Sequence, residues 1–235
     1  MSTERVTWKG RLGPFDLRLA RGTFRPSTIS TMVAETMEVG DEDVVIDMGC
    51  GSGVLSIVAA KLGAKIVHGV DAEKETIEVA TANAAEQGVA DRTIFYQGDM
   101  FDPLPEGIEA DVLIGDVSGV PDEIAEATGW FPSGLAGGPS GAELPVRMLE
   151  QARRFMRKGG KLFLPTGSLQ DEASILKAAR NAFGRLKQLT ERRIPLPSNV
   201  SENPAIMRMA QEKLIDVTQR GSRIIWTARV WEATF

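Results

Sequence analysis

The chain has 235 residues, of which 43% are hydrophobic and 25% charged, which is enough for one α/β domain with a sizeable core. Its net charge of −5 argues against nucleic-acid binding through contacts to the phosphates. The single cysteine excludes an intramolecular disulfide, and the sequence shows neither an apolar leader near Met1 nor an apolar run of about 18 residues. We therefore expect a cytoplasmic protein that binds neither nucleic acid nor membrane.

The first forty residues precede the main alternation of strands and helices, so 1–40 is predicted to be an N-terminal extension or lid. The segment Phe24-Arg25-Pro26-Ser27-Thr28 lies within it, and a helix is predicted to follow over 28–37.

Short apolar runs then alternate with amphipathic patterns. Strands are predicted at 44–48, 66–70, 93–97, 112–116 and 161–165, and helices at 54–62, 74–87, 143–156 and 171–183. This alternation is typical of a parallel, doubly wound sheet with helices on both faces.

After Gly184 the pattern changes to two strands, 186–194 and 223–230, without a crossover helix between them. Such strands are antiparallel neighbours. An inserted helical segment is predicted near 197–222, with its helix between Asn203 and Gly221. We therefore expect one domain, 41–235, built on a Rossmann-like sheet of seven mostly parallel strands with an antiparallel C-terminal strand.

The first strand of this domain runs through Asp47 into the turn Gly49-Cys50-Gly51-Ser52-Gly53 and then into a helix. A strand, a glycine turn and a helix N-terminus let the backbone approach a nucleotide-like cofactor closely. The third glycine comes one residue earlier than in the dinucleotide fingerprint, and an acid precedes the turn. Both departures point away from NAD.

Two more acidic residues follow predicted strands. Asp71 lies about twenty residues past the turn, where a carboxylate can accept both hydroxyls of a ribose. Its alternative role is to cap the helix that begins near Glu73. Asp99, in Gly98-Asp99-Met100, follows the third strand, and its alternative role is that of a surface turn residue.

The glycine turn with Asp47 resembles the first motif of class I S-adenosylmethionine-dependent methyltransferases, and Asp71 and Asp99 follow that family's order. The resemblance implies that the turn wraps the methionine part of S-adenosylmethionine while Asp47 positions its ammonium group. Asp71 would bind the ribose, and Asp99 with Met100 the adenine. The cofactor-binding residues implied are Asp47, Gly49, Cys50, Gly51, Gly53, Asp71, Ala72, Asp99, Met100 and Asp116.

Within this superfamily, 24–28 and 137–144 resemble the branch of protein-glutamine, ribosomal-protein and adenine methyltransferases. In that branch the fourth strand usually ends in Asn-Pro-Pro-Tyr, whereas this chain has Asp116-Val117-Ser118-Gly119. The change disfavours methylation of glutamine or adenine. A carboxylate accepts hydrogen bonds only, which suits a cationic amine or a hydroxyl that loses its proton. Asp116 and Ser118 are the predicted catalytic residues.

The glycine-rich stretch 117–142 carries Trp130 and Phe131. We predict a mobile lid whose aromatic rings contact the acceptor, with anchoring of the loop to the core as the alternative. Phe24 and Thr28 complete the predicted substrate-binding residues. No metal site is predicted, and the only histidine, His68, lies inside a strand, where a structural role is favoured.

These observations predict an S-adenosylmethionine-dependent methyltransferase whose partner is a small-molecule amine or hydroxyl acceptor, and they leave a homodimer open. One alternative is a protein methyltransferase. Another is an enzyme that transfers a different arm of the cofactor or cyclises it, with methylthioadenosine as the product. A non-catalytic partner subunit is the alternative of another class.

Overall fold

The structure is a computed structural model that describes residues 4–130 and 136–235. Its strands are β1 (Glu4–Trp8), β2 (Phe15–Leu19), β3 (Val44–Met48), β4 (Ile66–Asp71), β5 (Thr93–Gln97), β6 (Ala110–Ile114), β7 (Met156–Gly167), β8 (Arg185–Pro195), β9 (Thr218–Arg220) and β10 (Arg223–Thr234). Its helices are α1 (Thr28–Thr36), α2 (Val54–Leu62), α3 (Lys74–Glu86), α4 (Asp122–Thr128), α5 (Glu143–Ala152), α6 (Glu172–Phe183), α7 (Ser198–Ser201) and α8 (Pro204–Gln211).

The central sheet has the strand order β5-β4-β3-β6-β7-β10-β8, and the short strand β9 pairs with β10. The first five strands of this order are parallel, while β10 is antiparallel to both β7 and β8. The predicted fold class is therefore confirmed. From β3 the chain continues outward in one direction through β4 and β5 and in the other through β6 and β7. Open α/β sheets bind ligands at the carboxyl ends of the strands beside such a switch point.

Apolar side chains cover both faces of the sheet. On one face α1, α2 and α3 pack over a cluster that includes Val45, Val67 and Val112. On the other face α5 and α6 pack over a cluster that includes Ile46 and Leu113. Neighbouring residues of one strand thus enter opposite clusters, as the two-residue repeat of a strand requires. All five residues of β6 are buried, which holds the end of this central strand in a fixed place.

The N-terminal extension contains an antiparallel hairpin, β1–β2, that the sequence pattern did not predict. The buried side chain of Asn83 on α3 fixes it. Asn83 Nδ2 donates to the carbonyl oxygens of Arg18 (2.9 Å) and Ser52 (2.8 Å), and its Oδ1 accepts from the Arg18 amide (2.8 Å). One side chain therefore joins the hairpin to the glycine turn.

The inserted segment before β9 differs from its prediction. The single helix expected between Asn203 and Gly221 begins at Pro204 with an Asn203 cap, but it ends at Gln211. Lys213 has a positive φ of 59°, and the Leu214 amide donates to the Met209 carbonyl, so the chain turns away there. The segment packs with α4 into a third apolar cluster at the end of the sheet.

Among the residues described, none of the helices combines the length and the apolar character that a bilayer-spanning segment needs.

Candidate cofactor and acceptor site

A cavity of about 730 Å³ opens at the carboxyl ends of β3, β4, β6 and β7. This volume is in the range of small-molecule and cofactor sites. The predicted site residues that line it are Phe24, Thr28, Gly49, Cys50, Gly51, Asp71, Ala72, Asp99, Met100, Asp116, Ser118 and Trp130. Phe131 lies outside the described residues. Asp47 and Gly53 are not on the wall of the cavity.

The glycine turn forms the floor of the cavity. Gly49 has a φ of 75°, and a Cβ added there would lie 3.1 Å from the Asp116 carbonyl oxygen and 3.2 Å from Val117 Cα. Only glycine combines this φ with so close an approach of the β3 and β6 exits. At Gly53, an added Cβ would instead meet Ala80 of α3, so this third glycine serves the packing of helix on helix.

Asp47 lies behind the turn, fully buried. Its Oδ2 accepts a hydrogen bond of 2.6 Å from the hydroxyl of Ser56 on α2, while its Oδ1 has no hydrogen-bond partner among the described residues. Burial raises the pKa of Asp47 to about 7. Asp47 does not line the cavity, and its predicted role in positioning the ammonium group stays a prediction.

Asp71 has the capping role that the sequence offered as an alternative, while its predicted role at the ribose stays a prediction. One carboxylate oxygen accepts from the Glu73 amide (3.1 Å), as a helix cap does, and the other accepts from the Gly51 amide (3.0 Å) in the glycine turn. The side chain also lines the cavity. Burial raises the pKa of this carboxyl.

Asp99 is already engaged by an arginine. Arg147 on α5 donates two hydrogen bonds to its carboxylate, at 2.9 and 2.5 Å, across the rim of the cavity. The neighbouring Met100 is buried and has a positive φ of 48°. An adenine amino group that used Asp99 would share it with Arg147, a residue that the sequence pattern did not mark.

Asp116 follows β6 and faces the cavity beside α1. The hydroxyl of Ser30 donates to Asp116 Oδ2 at 3.1 Å, and the Ser27 amide donates to the Ser30 hydroxyl at 3.3 Å. Burial raises the pKa of Asp116 to about 6, whereas the Ser30 hydrogen bond lowers it. The nearby Ser118 hydroxyl is buried and has no partner within 4–130 and 136–235. Sequence reasoning missed Ser30 because it is 86 positions from Asp116.

One part of the cavity wall is apolar and aromatic. It is lined by Phe24, Trp130, Trp226 and the segment 194–197, which runs from the end of β8 through Pro195 and Pro197. Trp226 is held in place by Gly167, because a Cβ added there would lie 2.6 Å from its ring. Neither Trp226 nor the end of β8 was predicted to line the site. Their place beside the cavity depends on the antiparallel pairing of β10 with β7 and β8.

The glycine-rich stretch around the opening is closely packed on both sides of the undescribed residues. A Cβ on Gly137 would lie 2.9 Å from the Val120 amide nitrogen, and one on Gly141 would lie 2.6 Å from the Gly119 carbonyl oxygen. The Gly137 amide donates to the Val120 carbonyl. These contacts fix the base of the stretch, and the lid motion predicted from its composition stays a prediction.

Two further reactive side chains, those of Cys50 and His68, are buried. Cys50 is buried, and burial raises the pKa of its thiol well above its ordinary value, so it is a poor nucleophile. His68 lies in β4 with its Nδ1 3.1 Å from the Tyr96 hydroxyl and its ring stacked on that of Tyr96.

The electrostatics of the cavity favour a cationic ligand. Asp47, Asp71 and Asp116 all have raised pKa values, and none of them forms an ion pair with another described residue. Buried carboxylates without a cation are unfavourable. S-adenosylmethionine carries a positive sulfonium and an ammonium group, so the residues fit this cofactor.

The switch-point cavity, the glycine turn and the order of the acidic residues define the class I S-adenosylmethionine-dependent methyltransferase superfamily. The chain has these features, and the sequence matches described next confirm the predicted resemblance to this superfamily.

Comparisons with known proteins support a more particular similarity. The sequence model described as "Ribosomal protein L11 methyltransferase (PrmA)" matches residues 20–127. A ribosomal protein L11 methyltransferase from Shewanella denitrificans is 35% identical over 161 residues, which cover 68% of this chain and 45% of that protein. A namesake from Shewanella baltica is 36% identical over 101 residues, or 43% of this chain and 33% of its own. The chain thus spans less than half the length of these relatives.

Solved structures show the same fold. A ribosomal protein L11 methylase from Lactobacillus delbrueckii subsp. bulgaricus has a TM-score of 0.57 at 16% identity, covering 93% of this chain and 86% of its own. Precorrin 8w decarboxylase from Methanobacterium thermoautotrophicum has a TM-score of 0.59 at 17% identity, with 92% and 96% covered. Methyltransferases of the matched family use S-adenosylmethionine, which confirms the predicted cofactor.

The predicted acceptor was wrong. A small-molecule amine or hydroxyl, and with it a small-molecule partner, was expected, but the matching family and the similar curated proteins are named for methylation of a ribosomal protein. The error began at Asp116, because the loss of the Asn-Pro-Pro-Tyr motif changes the hydrogen bonding offered to the acceptor atom. The loss of this motif gives no information about the size of the molecule that bears the acceptor atom.

Proposed function

We propose that this chain is an S-adenosylmethionine-dependent methyltransferase that methylates an amino group of a polypeptide. The similarity to ribosomal protein L11 methyltransferases supports the polypeptide as the substrate. The observation that supports methyl transfer is the position of Asp116. Its carboxylate follows β6, accepts a hydrogen bond from Ser30 and faces the cavity without forming an ion pair with a described residue.

The cofactor half of the cavity would be formed by three elements. The backbone of the glycine turn would approach the methionine part, Asp71 would accept hydrogen bonds from the ribose, and Asp99 with its partner Arg147 would bound the adenine end. Asp47 would act from behind the turn by placing negative charge near the ammonium group. When bound, S-adenosylmethionine supplies a methyl group on a positively charged sulfur, which needs no further activation.

Asp116 would orient the attacking nitrogen and receive its proton. Its Oδ2 is occupied by the Ser30 hydroxyl, which leaves Oδ1 for the acceptor. With a pKa of about 6, the carboxylate is largely ionised at neutral pH but still basic enough to take a proton. Much of the rate would then come from holding the nitrogen in line with the methyl group.

The aromatic and proline-rich end of the cavity would bind the aliphatic stem that carries the nitrogen. Trp226 and the segment 194–197 offer apolar surface and exclude water from the reacting atoms. Trp130 would add a further aromatic ring to this wall. We include the predicted cytoplasmic location in this proposal, because the similar proteins are named for methylation of a ribosomal protein.

The experiment is incubation of the chain with S-adenosylmethionine and either a ribosomal protein fraction or a protein-free small-molecule extract. We expect S-adenosylhomocysteine to accumulate with the protein fraction and not after that fraction is digested by a protease. Asp116→Asn serves as the matched inactive control. Product formation with the small-molecule extract alone, or release of methylthioadenosine, would overturn the proposal.

A further inference from the structure

A second cavity, of about 460 Å³, lies outside the cofactor site between β1 and the start of α1. We call it the hairpin groove. It is lined by residues 6–10, residues 25–28, Thr31 and Arg192.

Strand β1 forms part of one wall of the hairpin groove. Strand β1 pairs with β2 along one edge, and within the described chain no other strand pairs with it. Residues 6–8 of β1 line the groove. A free strand edge next to a groove can receive an extended polypeptide as an additional strand, through backbone hydrogen bonds.

The groove is basic, on a protein whose net charge is −5. Lys9, Arg25 and Arg192 line it together with several threonine hydroxyls. Arg25 pairs with Glu4, and Arg192 with Glu35 at 2.6 Å, but all four side chains are at least 42% exposed. Such exposed pairs add little to stability, so an incoming carboxylate can replace them at low cost. Lys9 forms no ion pair within the described residues. An acidic segment is therefore the complementary occupant.

The groove is also next to the reaction site. Residues 25–28 line both cavities, so they form a wall one segment thick between them. The same segment connects to Asp116, since the Ser27 amide donates to the Ser30 hydroxyl that holds this carboxylate. The residues that follow in a polypeptide bound in the groove can then cross this segment and reach the cavity that Asp116 faces.

We propose that the hairpin groove binds an extended acidic segment of the polypeptide substrate as an added strand on β1. This inference rests on the proposed function, because it assumes a polypeptide acceptor. It assigns the specificity for that acceptor to Lys9, Arg192 and the edge of β1, outside the cofactor site.

The binding test uses a fluorescent peptide of about eight residues in which threonine and glutamate alternate, a length suited to the five residues of β1. Binding is measured by anisotropy and by backbone amide shifts, without cofactor. We expect shifts at residues 4–9 and an affinity at least about tenfold lower in Lys9→Glu. Lys177→Glu, the same change on the exposed side of α6, is the matched control and should bind like the unaltered chain.

Two further probes separate the backbone and charge contributions. The same peptide with alternate amides N-methylated should lose binding, because strand addition needs its N–H groups. A peptide in which lysine replaces glutamate should not bind. Equal affinity for the acidic and basic peptides, no binding of the acidic peptide, or tighter binding of a single-stranded oligouridine at residues 4–9 would overturn the proposal.

The link to catalysis is tested with a polypeptide that the unaltered chain methylates. Lys9→Glu should raise KM for that polypeptide and leave kcat unchanged, and a fall in kcat alone would overturn the proposal. If no polypeptide is methylated while the acidic peptide still binds at residues 4–9, the proposed function fails and the peptide-binding groove stands. If methylation occurs and the peptide does not bind, the groove fails alone.

Discussion

The substitution Asp116→Asn separates the effect of this carboxylate on the free energy of folding from its effect on the rate of methyl transfer. Burial raises the pKa of Asp116 from 3.8 to about 6. At about 1.4 kcal/mol per pH unit, keeping this group ionised at pH 8 costs up to about 3 kcal/mol of folding free energy. Because the side chain keeps some contact with solvent, this value is an upper limit. Asparagine has the same shape and can still accept the Ser30 hydrogen bond, but it carries no charge.

The sign of the effect follows from the raised pKa. An acid whose pKa is higher in the folded than in the unfolded state favours folding while it is protonated, and this advantage is lost as pH rises through the folded value. Asp116→Asn should therefore be more stable than the unaltered chain at pH 8, by about 1–3 kcal/mol, and nearly equal to it at pH 4.

The assay is urea denaturation of both proteins at several pH values, together with the rate of methyl transfer at pH 8. The rate should fall by about 100-fold or more, because the proton acceptor is gone. Two stability curves that run parallel from pH 4 to pH 8 would refute the electrostatic reasoning. An unchanged rate would remove Asp116 from the reaction.

Three further predictions concern the same carboxylates. Asp71→Ala should weaken S-adenosylmethionine binding by about tenfold or more in calorimetry, because it removes the ribose acceptor and the hydrogen bond from Gly51. Asp116→Asn should largely keep the affinity for the cofactor. Equal losses of affinity in both variants would contradict the division between cofactor and reaction sites. Ser30→Ala should move the midpoint of the pH–rate profile upward by about one pH unit, because the Ser30 hydroxyl stabilises the ionised carboxylate of Asp116. An unchanged midpoint would count against this role of Ser30. Cofactor affinity should rise between about pH 6 and pH 8, because Asp47, with a pKa of about 7, loses its proton and then favours a cation, and Asp47→Asn should flatten the rise; no pH dependence in the unaltered chain would exclude the coupling.

Local sequence signals predicted the centre of the fold well. The strand Val44–Met48 and the helix Val54–Leu62 match their predicted bounds, because a buried apolar run, a glycine turn and a 3.6-residue repeat are all encoded within a few residues of one another. The glycine turn is determined in the same way, since the positive φ at Gly49 excludes other residues.

Features that depend on distant partners were missed. The β1–β2 hairpin carries charged residues on short strands, and its attachment to Asn83 spans 65 positions. Ser30 and Trp226 belong to the site only because of where α1 and β10 pack. No pattern within their own segments indicates either contact. Arg147 reaches Asp99 from a helix 48 positions away, so its role also emerges only from tertiary structure.

Boundaries shifted where a single backbone conformation determines the end of an element. The predicted helix over 143–156 ends at Ala152, and Met156 already begins β7, because a short 3-10 turn over Arg153–Phe155 intervenes. The inserted helix stops before Lys213, whose positive φ could not be read from the sequence. In both cases the apolar repeat continued past the true end of the helix.

Methylation of a polypeptide by this chain is measured by the intact mass of a polypeptide acceptor after incubation with S-adenosylmethionine that carries an isotopically labelled methyl group. We expect the labelled methyl group on an amino nitrogen of the polypeptide, formed in equal amount with S-adenosylhomocysteine and lost in Asp116→Asn. Turnover of the cofactor with no label on any polypeptide would contradict the claim.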